Sequence, residues 1–191
     1  MSSDNATLNM PRRKSTLAPG RVLSGLLLIA VAVFFMLKQT QFRVIEARLT
    51  AQVLGLVTAT RSYSIGSSMF FGVGTPNVEA IGLTTMCSTL ILVTPLLILA
   101  GFLLMIRSFA VKWVALGLVL TVALVSVCNM IRFAAMGFAQ RTWGRPGFNF
   151  VHHYAGSVFV ILGFVAAFIL LLKIAAHSRA RSNRAQPAAD D

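Results

Sequence analysis

Four long apolar runs, separated by short polar segments, constrain this chain more than any other feature. They cover about residues 22–37, 86–106, 113–135 and 150–174. A helix needs about 20 apolar residues to cross the hydrocarbon core of a bilayer, and each run reaches or approaches that length. With 57% hydrophobic and 12% charged residues, the 191-residue chain is too apolar for a soluble globular domain. The sequence therefore predicts an all-α polytopic membrane protein with about four transmembrane helices.

The charged residues predict how these helices are oriented. Seventeen Lys and Arg face five acidic residues, which gives a net charge of +12. The basic residues concentrate before the first run, after the last one, and in the loop at 107–112, so the positive-inside rule places both termini on the cytoplasmic side of the cell membrane. Residues 39–85 and 140–149 would then lie outside. Because no aromatic residues interleave with the basic ones, we expect the lipid bilayer, and no nucleic acid, as the partner of this charge.

The chain divides into a basic, disordered cytoplasmic tail over 1–20, a single transmembrane domain over 21–174, and a polar cytoplasmic tail over 175–191. The first run lacks a cleavage site, so we expect a retained anchor. Apolar residues recur at three- and four-residue steps from Phe42 to Val57, which predicts an interfacial amphipathic helix. Residues 62–85 are rich in Gly, Ser and Thr and predict an extracytoplasmic loop, with a hairpin through Met69–Phe71.

Three chemically different side chains fall at the same predicted depth. Cys87 opens the second run at its outer end, and His152 and His153 open the fourth. Arg132 lies 19 residues after Trp113, which is about 29 Å along a helix and close to the full hydrocarbon thickness. Polar groups at a membrane boundary are costly to place, so this coincidence predicts a site on the extracytoplasmic surface.

A thiol, a guanidinium and an imidazole are the components of a cysteine-based acyl-transfer centre. The thiolate of Cys87 would be the nucleophile, a histidine would move its proton, and Arg132 would stabilise the thiolate or the oxyanion. Asn129 lies on the same helical face as Arg132 and would orient the arginine or bind the substrate backbone. Cys128, one turn deeper, is expected to serve packing.

The same residues carry a family resemblance. Residues 79–88 (EAIGLTTMCS), 129–132 (NMIR) and 152–156 (HHYAG) together resemble the exosortase/archaeosortase family. That family marks three successive transmembrane helices with a cysteine, an Asn-x-x-Arg motif and a histidine shortly before a glycine. His152 fits the spacing His-x-x-x-Gly, and His153 fits one residue less. The chain departs from the family pattern at Thr89, where a glycine is common, and it has fewer predicted spans than many members.

The resemblance implies a polytopic membrane cysteine transpeptidase, in which residues 21–174 would form the catalytic domain. Its substrates would be proteins with a C-terminal sorting signal, built from a short motif, a hydrophobic helix and a basic tail. The cleaved end would pass to an acceptor at the cell surface.

Two other classes of protein remain open from sequence. The alternative is a non-catalytic membrane scaffold or accessory subunit, in which the polar residues serve packing and topology. A transporter is disfavoured because no acidic residue lines a path through the predicted spans. The sequence carries no cofactor motif, and two adjacent histidines without a carboxylate at that depth do not predict a metal site.

Overall fold

The structure is a computed structural model that describes residues 19–106 and 109–184, the last seven of these by backbone only. Two helices come first, α1 (Pro19–Leu37) and α2 (Gln39–Thr58), followed by three strands, β1 (Arg61–Ile65), β2 (Ser68–Val73) and β3 (Glu79–Gly82). A 3-10 turn (Thr85–Cys87) leads into α3 (Thr89–Met105), and α4 (Val111–Phe150) is joined to α5 (Gly156–Arg184) by a π-helical turn (Val151–Ala155). The described part of the chain is thus mostly helical, as predicted.

The apolar helices pack as antiparallel pairs through small residues. Gly25 of α1 lies directly against Gly101 of α3, so closely that an added Cβ would meet backbone. Gly117 and Gly163 play the same part between α4 and α5, the first against Leu171 and the second against Cys128. Small residues permit close approach of helix backbones where lipid offers no hydrophobic drive for association.

Each of the four predicted apolar runs lies mainly in an apolar helix, and the third and fourth both fall within the stretch Val111–His177. α1 and the α4–α5 region Val111–His177 are each long and apolar enough to cross a membrane, while α3, with 17 residues, is shorter. Large apolar side chains on these helices stay exposed, for example Leu27, Val119 and Leu162. Such a surface is typical of a protein that associates with a membrane.

The connection predicted at 140–149 is helical on both sides of a break at Gly144 rather than an open loop. The apolar run was expected to end at Ala135, yet the helix continues past it, with Met136 and Ala139 buried. At Gly144 the backbone has φ 65° and ψ −156°, a conformation that an L-residue rarely adopts, and the chain turns there. Pro146 follows two residues later. The chain therefore turns within the predicted connection, although most of that connection is helical.

The region predicted as a loop with a hairpin is a three-stranded antiparallel sheet in the order β1-β2-β3. The first turn is at Gly66, and Met69–Phe71 lies in β2, where it pairs with both neighbours. Met69 and Phe71 are fully buried and join α2 and α4 in one core. The all-α prediction is therefore correct for the helices and incomplete here.

The other boundaries differ by a few residues. α2 includes the predicted amphipathic helix, and α5 runs to Arg184, so the tail predicted from residue 175 begins as helix. Cys87 precedes α3 rather than lying on it. The tail predicted over 1–20 falls outside the described residues except at 19 and 20, which are helical, and residues 185–191 of the second tail also fall outside.

The buried apolar residues form two clusters. The first, which we call the sheet-side cluster, contains Ala47, Ala51, Leu54, Met69, Phe71, Ile81, Leu83, Cys87, Phe133, Met136, Ala139 and Val151. The second, the helix-only cluster, contains Val93, Leu96, Ala100, Leu103, Leu104, Val114, Val125, Ala167, Leu171 and Ala175. The candidate site lies with the first.

Candidate functional site

Cys87 lies in the last position of the 3-10 turn that precedes α3. Its backbone N–H donates to the carbonyl of Thr84 over 3.1 Å, and Ser88 follows as the N-cap residue, accepting from the N–H of Leu90. The residue is 5% exposed. A capped helix start directly after the cysteine holds the thiol at the positive end of the α3 dipole, where a developing negative charge is favoured.

Arg132 brings its guanidinium to this sulfur. Its Nη2 lies 3.8 Å from the Sγ of Cys87 and donates to the backbone carbonyl of His152 over 3.4 Å. The side chain is buried, and its Nε has no hydrogen-bond partner among the described residues. Gly156 makes room for it, since a Cβ there would lie 3.0 Å from the Cγ of Arg132. The arginine thus joins the start of α3 to the π-helical turn.

The two histidines differ in their surroundings. The ring of His152 stacks on Phe148, with centroids 5.4 Å apart and planes 8° apart, and its Nδ1 lies 3.3 Å from the sulfur of Met136. His153 is exposed and packs edge-on against His152 at 4.7 Å. Within the described residues, neither imidazole makes a hydrogen bond to Cys87. Of the two, His152 has the more defined position.

Asn129 contacts the cysteine rather than the arginine. It is fully buried, and its Nδ2 lies 2.9 Å from the carbonyl oxygen of Cys87 and 2.9 Å from the Oγ1 of Thr89. No hydrogen bond to Arg132 occurs among the described residues. Because Asn129 has no exposed surface, direct binding of a substrate backbone, as expected from sequence, does not fit this geometry.

Glu46 is the residue that sequence reasoning missed. It comes from α2, is 8% exposed, and its Oε2 accepts from the hydroxyl of Ser88 over 2.7 Å. Its Oε1 accepts from the backbone N–H of Thr89 over 2.8 Å, from the Thr89 hydroxyl, and from the Nδ2 of Asn129 over 3.1 Å. A carboxylate therefore does lie beside the predicted site, contrary to the expectation that none is present at that depth.

The four candidate catalytic residues line one cleft of about 360 Å³. Polar Thr84 and Ser157 line the same cleft, together with the apolar side chains of Met86, Leu92, Val160 and Ile161. The cleft therefore offers both polar and apolar contacts to a peptide.

Cys128 lies away from this cleft, among packing residues. Its Sγ faces Gly163, where an added Cβ would lie 2.8 Å from the sulfur. Both cysteines are free thiols. The packing interpretation agrees with this position.

Comparison with protein-family models, with characterised proteins and with solved structures gives no match for this chain.

Proposed function

We propose that the protein is a membrane-embedded cysteine transpeptidase of the exosortase/archaeosortase type. The observation that carries the proposal is the 3.8 Å distance between the Cys87 sulfur and the Arg132 guanidinium, two groups 45 residues apart in the chain. His152 contributes its carbonyl to the same guanidinium and its ring to the same cleft. A nucleophile, a fixed cation and a proton carrier in one cleft are what acyl transfer by cysteine requires.

In the first half of the reaction, His152 takes the proton of the Cys87 thiol and the sulfur attacks the scissile carbonyl carbon. The carbonyl electrons move to oxygen, and Arg132 stabilises the resulting oxyanion. As the C–N bond breaks, the imidazolium returns the proton to the departing amine. The products are a thioester on Cys87 and the released C-terminal fragment.

In the second half, an acceptor amine, another nucleophile or water attacks the thioester carbonyl. His152 removes its proton and passes it to the thiolate that leaves, which restores the thiol. Since Nδ1 of His152 faces the sulfur of Met136, Nε2 is the nitrogen left for these transfers.

The proposed topology has four spans, formed by α1, α3, α4 and α5, with both termini cytoplasmic. The antiparallel pairing of α1 with α3 and of α4 with α5 supports it. Further support comes from Arg21, which donates to the carbonyl oxygens of Ile106 and Phe109 and so joins the start of α1 to the α3–α4 connection. That end carries the basic residues expected on the cytoplasmic side.

The proposed substrates are proteins with a C-terminal sorting signal of motif, apolar helix and basic tail. The mixed lining of the cleft supports this class, because Leu92 of α3 and Val160 and Ile161 of α5 line the same cleft as Cys87. A scissile motif that is continued by an apolar helix would need both polar and apolar contacts.

The test compares cells that carry the wild-type protein with cells that carry Cys87→Ala, and Cys128→Ala serves as the matched control. C-terminal peptides of secreted and surface proteins would be identified by mass spectrometry. We expect proteins that end in an apolar helix and a basic tail to be shortened with wild type and Cys128→Ala, and to stay full length with Cys87→Ala.

Equal processing with Cys87→Ala would contradict the proposal, because a scaffold has no need of the thiol. So would an absence of shortened proteins in all three strains at normal protein levels.

A further inference from the structure

The carboxylate of Glu46 ties three separate elements together. It lies on α2, receives bonds from Ser88 and Thr89 at the start of α3, and receives another from Asn129 on α4. Asn129 in turn holds the carbonyl of Cys87. Glu46 therefore binds the two residues that follow Cys87 directly. It binds the carbonyl of Cys87 through the amide of Asn129.

Capping of α3 accounts for only one of the four hydrogen bonds that Glu46 accepts. That bond comes from the N–H of Thr89, the first residue of α3, while Ser88 accepts from the N–H of Leu90. The other three come from the hydroxyls of Ser88 and Thr89 and from the amide of Asn129. Burying a carboxylate costs several kcal/mol unless its oxygens are bonded, and a chain that needed only a helix cap would avoid that cost. Here both oxygens accept bonds, and the N-terminus of α3 adds a favourable dipole.

We propose that Glu46 is a positioning residue that holds the main chain at Cys87, so that the sulfur faces the guanidinium of Arg132. The inference rests on the proposed function for its catalytic meaning. The geometry that it explains, the contact between sulfur and guanidinium, exists without substrate.

The contacts define what each substitution of Glu46 removes. Glu46→Ala removes all acceptors and frees Ser88, Thr89 and Asn129 together. Glu46→Gln keeps the size and one accepting oxygen, but the amide nitrogen that replaces Oε2 cannot accept from the hydroxyl of Ser88. Partial retention with Gln and loss with Ala is therefore the pattern that positioning predicts.

The experiment measures the rate at which iodoacetamide alkylates Cys87 in isolated membranes, in a Cys128→Ala background. Each rate is measured with Arg132 intact and with Arg132→Gln, and the ratio of the two reports how strongly the guanidinium activates the sulfur. With Glu46 intact, we expect Arg132→Gln to slow alkylation about tenfold or more. With Glu46→Ala we expect the ratio to fall below about twofold, and with Glu46→Gln to lie between.

The control is Glu79→Gln, which neutralises an acidic residue on β3 and should leave the ratio unchanged. A purely structural role of Glu46 would lower the amount of protein that can be alkylated without changing the ratio. A wild-type ratio in Glu46→Ala would overturn the proposal, and so would failure of both Glu46→Ala and Glu46→Gln to accumulate in membranes.

The same measurements separate this inference from the proposed function, because no substrate is used. A Glu46-dependent ratio in a protein that processes no substrate would reject the peptidase and keep the positioning role. If wild type processes substrate and the alkylation ratio is unchanged in Glu46→Ala, the positioning role is rejected and the peptidase is kept.

Discussion

The sheet-side cluster and the helix-only cluster contain similar numbers of buried residues but differ in the groups that they bury. The helix-only cluster is formed by apolar side chains of three helices, brought close by glycines such as Gly117. The sheet-side cluster includes a sheet, the thiol of Cys87, and a neighbouring network of Glu46, Asn129 and Arg132. Buried ionisable and amide groups, which are costly to bury, are concentrated beside the sheet-side cluster, whereas near the helix-only cluster the buried polar residue in the described part of the chain is Thr121, whose hydroxyl bonds to its own helix.

This difference separates stability from chemistry within one small fold. Substitutions in the helix-only cluster should change how much folded protein exists. Substitutions beside the sheet-side cluster should change what each folded molecule does. If the division holds, substitutions at the site lower the activity of each folded molecule, and substitutions in the helix-only region lower only the free energy of unfolding.

The largest effect is expected from Cys87→Ala, which removes the proposed nucleophile. Substrate processing should fall by about 10⁴-fold or more, because the covalent route is lost. The measurement is the rate of product formation per amount of folded protein. Cys128→Ala, which alters a packing thiol of similar burial, should retain most of the rate.

Replacement of the histidines comes next. His152→Ala should lower the rate by about 10²- to 10⁴-fold through loss of proton transfer, while His153→Ala should stay within about threefold of wild type. His152 has a defined ring position against Phe148, and His153 is exposed. Single-turnover rates of both variants show which histidine transfers the proton. A larger loss of rate in His153→Ala than in His152→Ala would assign that role to His153.

Arg132→Gln should cost about 10²- to 10³-fold in rate, since a neutral amide stabilises an oxyanion less than a guanidinium does. Arg132→Lys keeps the charge but cannot contact both Cys87 and the carbonyl of His152 in the same way, so we expect an intermediate loss. Rates of thioester formation test this. Equal activity of Gln and Lys variants would argue against a role for the charge.

In the helix-only cluster, Leu171→Ala should lower the free energy of unfolding by about 2–4 kcal/mol, because a fully buried side chain leaves a cavity. Activity per folded molecule should be unchanged. Thermal unfolding in detergent, together with rates normalised to folded protein, provides both numbers. A specific loss of activity would show that the two regions are coupled.

The smallest effect is expected at Gly163, where a Cβ would lie 2.8 Å from the sulfur of Cys128. Gly163→Ala should destabilise the fold by about 1–3 kcal/mol through overpacking. Adding Cys128→Ala removes that sulfur and should restore part of the loss. Absence of any restoration in the double variant, measured by the same unfolding method, would show that the contact is not the cause.

How far sequence reasoning reaches is clearest from α2. The pattern Phe42, Ile45, Leu49 predicts the amphipathic helix, yet Ile45 and Leu49 are exposed and the buried face carries Glu46, Ala47 and Thr50. The usual inference, that the apolar face is the buried one, fails where lipid can cover it. Small and polar residues then form the packed face. That rule would have directed attention to Glu46.

The site residues show the same limit. Depth along each helix brings Cys87, Arg132 and the histidines to one level, because rise per residue is nearly constant. Depth cannot say which atom meets which. The contact of Asn129 with the Cys87 carbonyl depends on how α3 and α4 are rotated about their axes, which depth along the chain does not specify.

The π-helical turn at Val151–Ala155 also sets the direction in which the His152 ring points. A π-type turn holds an extra residue relative to regular α-helix, and each residue corresponds to about 100° of rotation. Deleting one residue of this turn that does not line the cleft, such as Tyr154, would rotate the imidazole of His152 by about a quarter turn around the helix axis relative to α5. Every side chain that lines the cleft would still be present. The direction of the His152 ring thus depends on the number of residues in this turn as well as on their identity. A one-residue deletion could abolish proton transfer although every catalytic residue is still present.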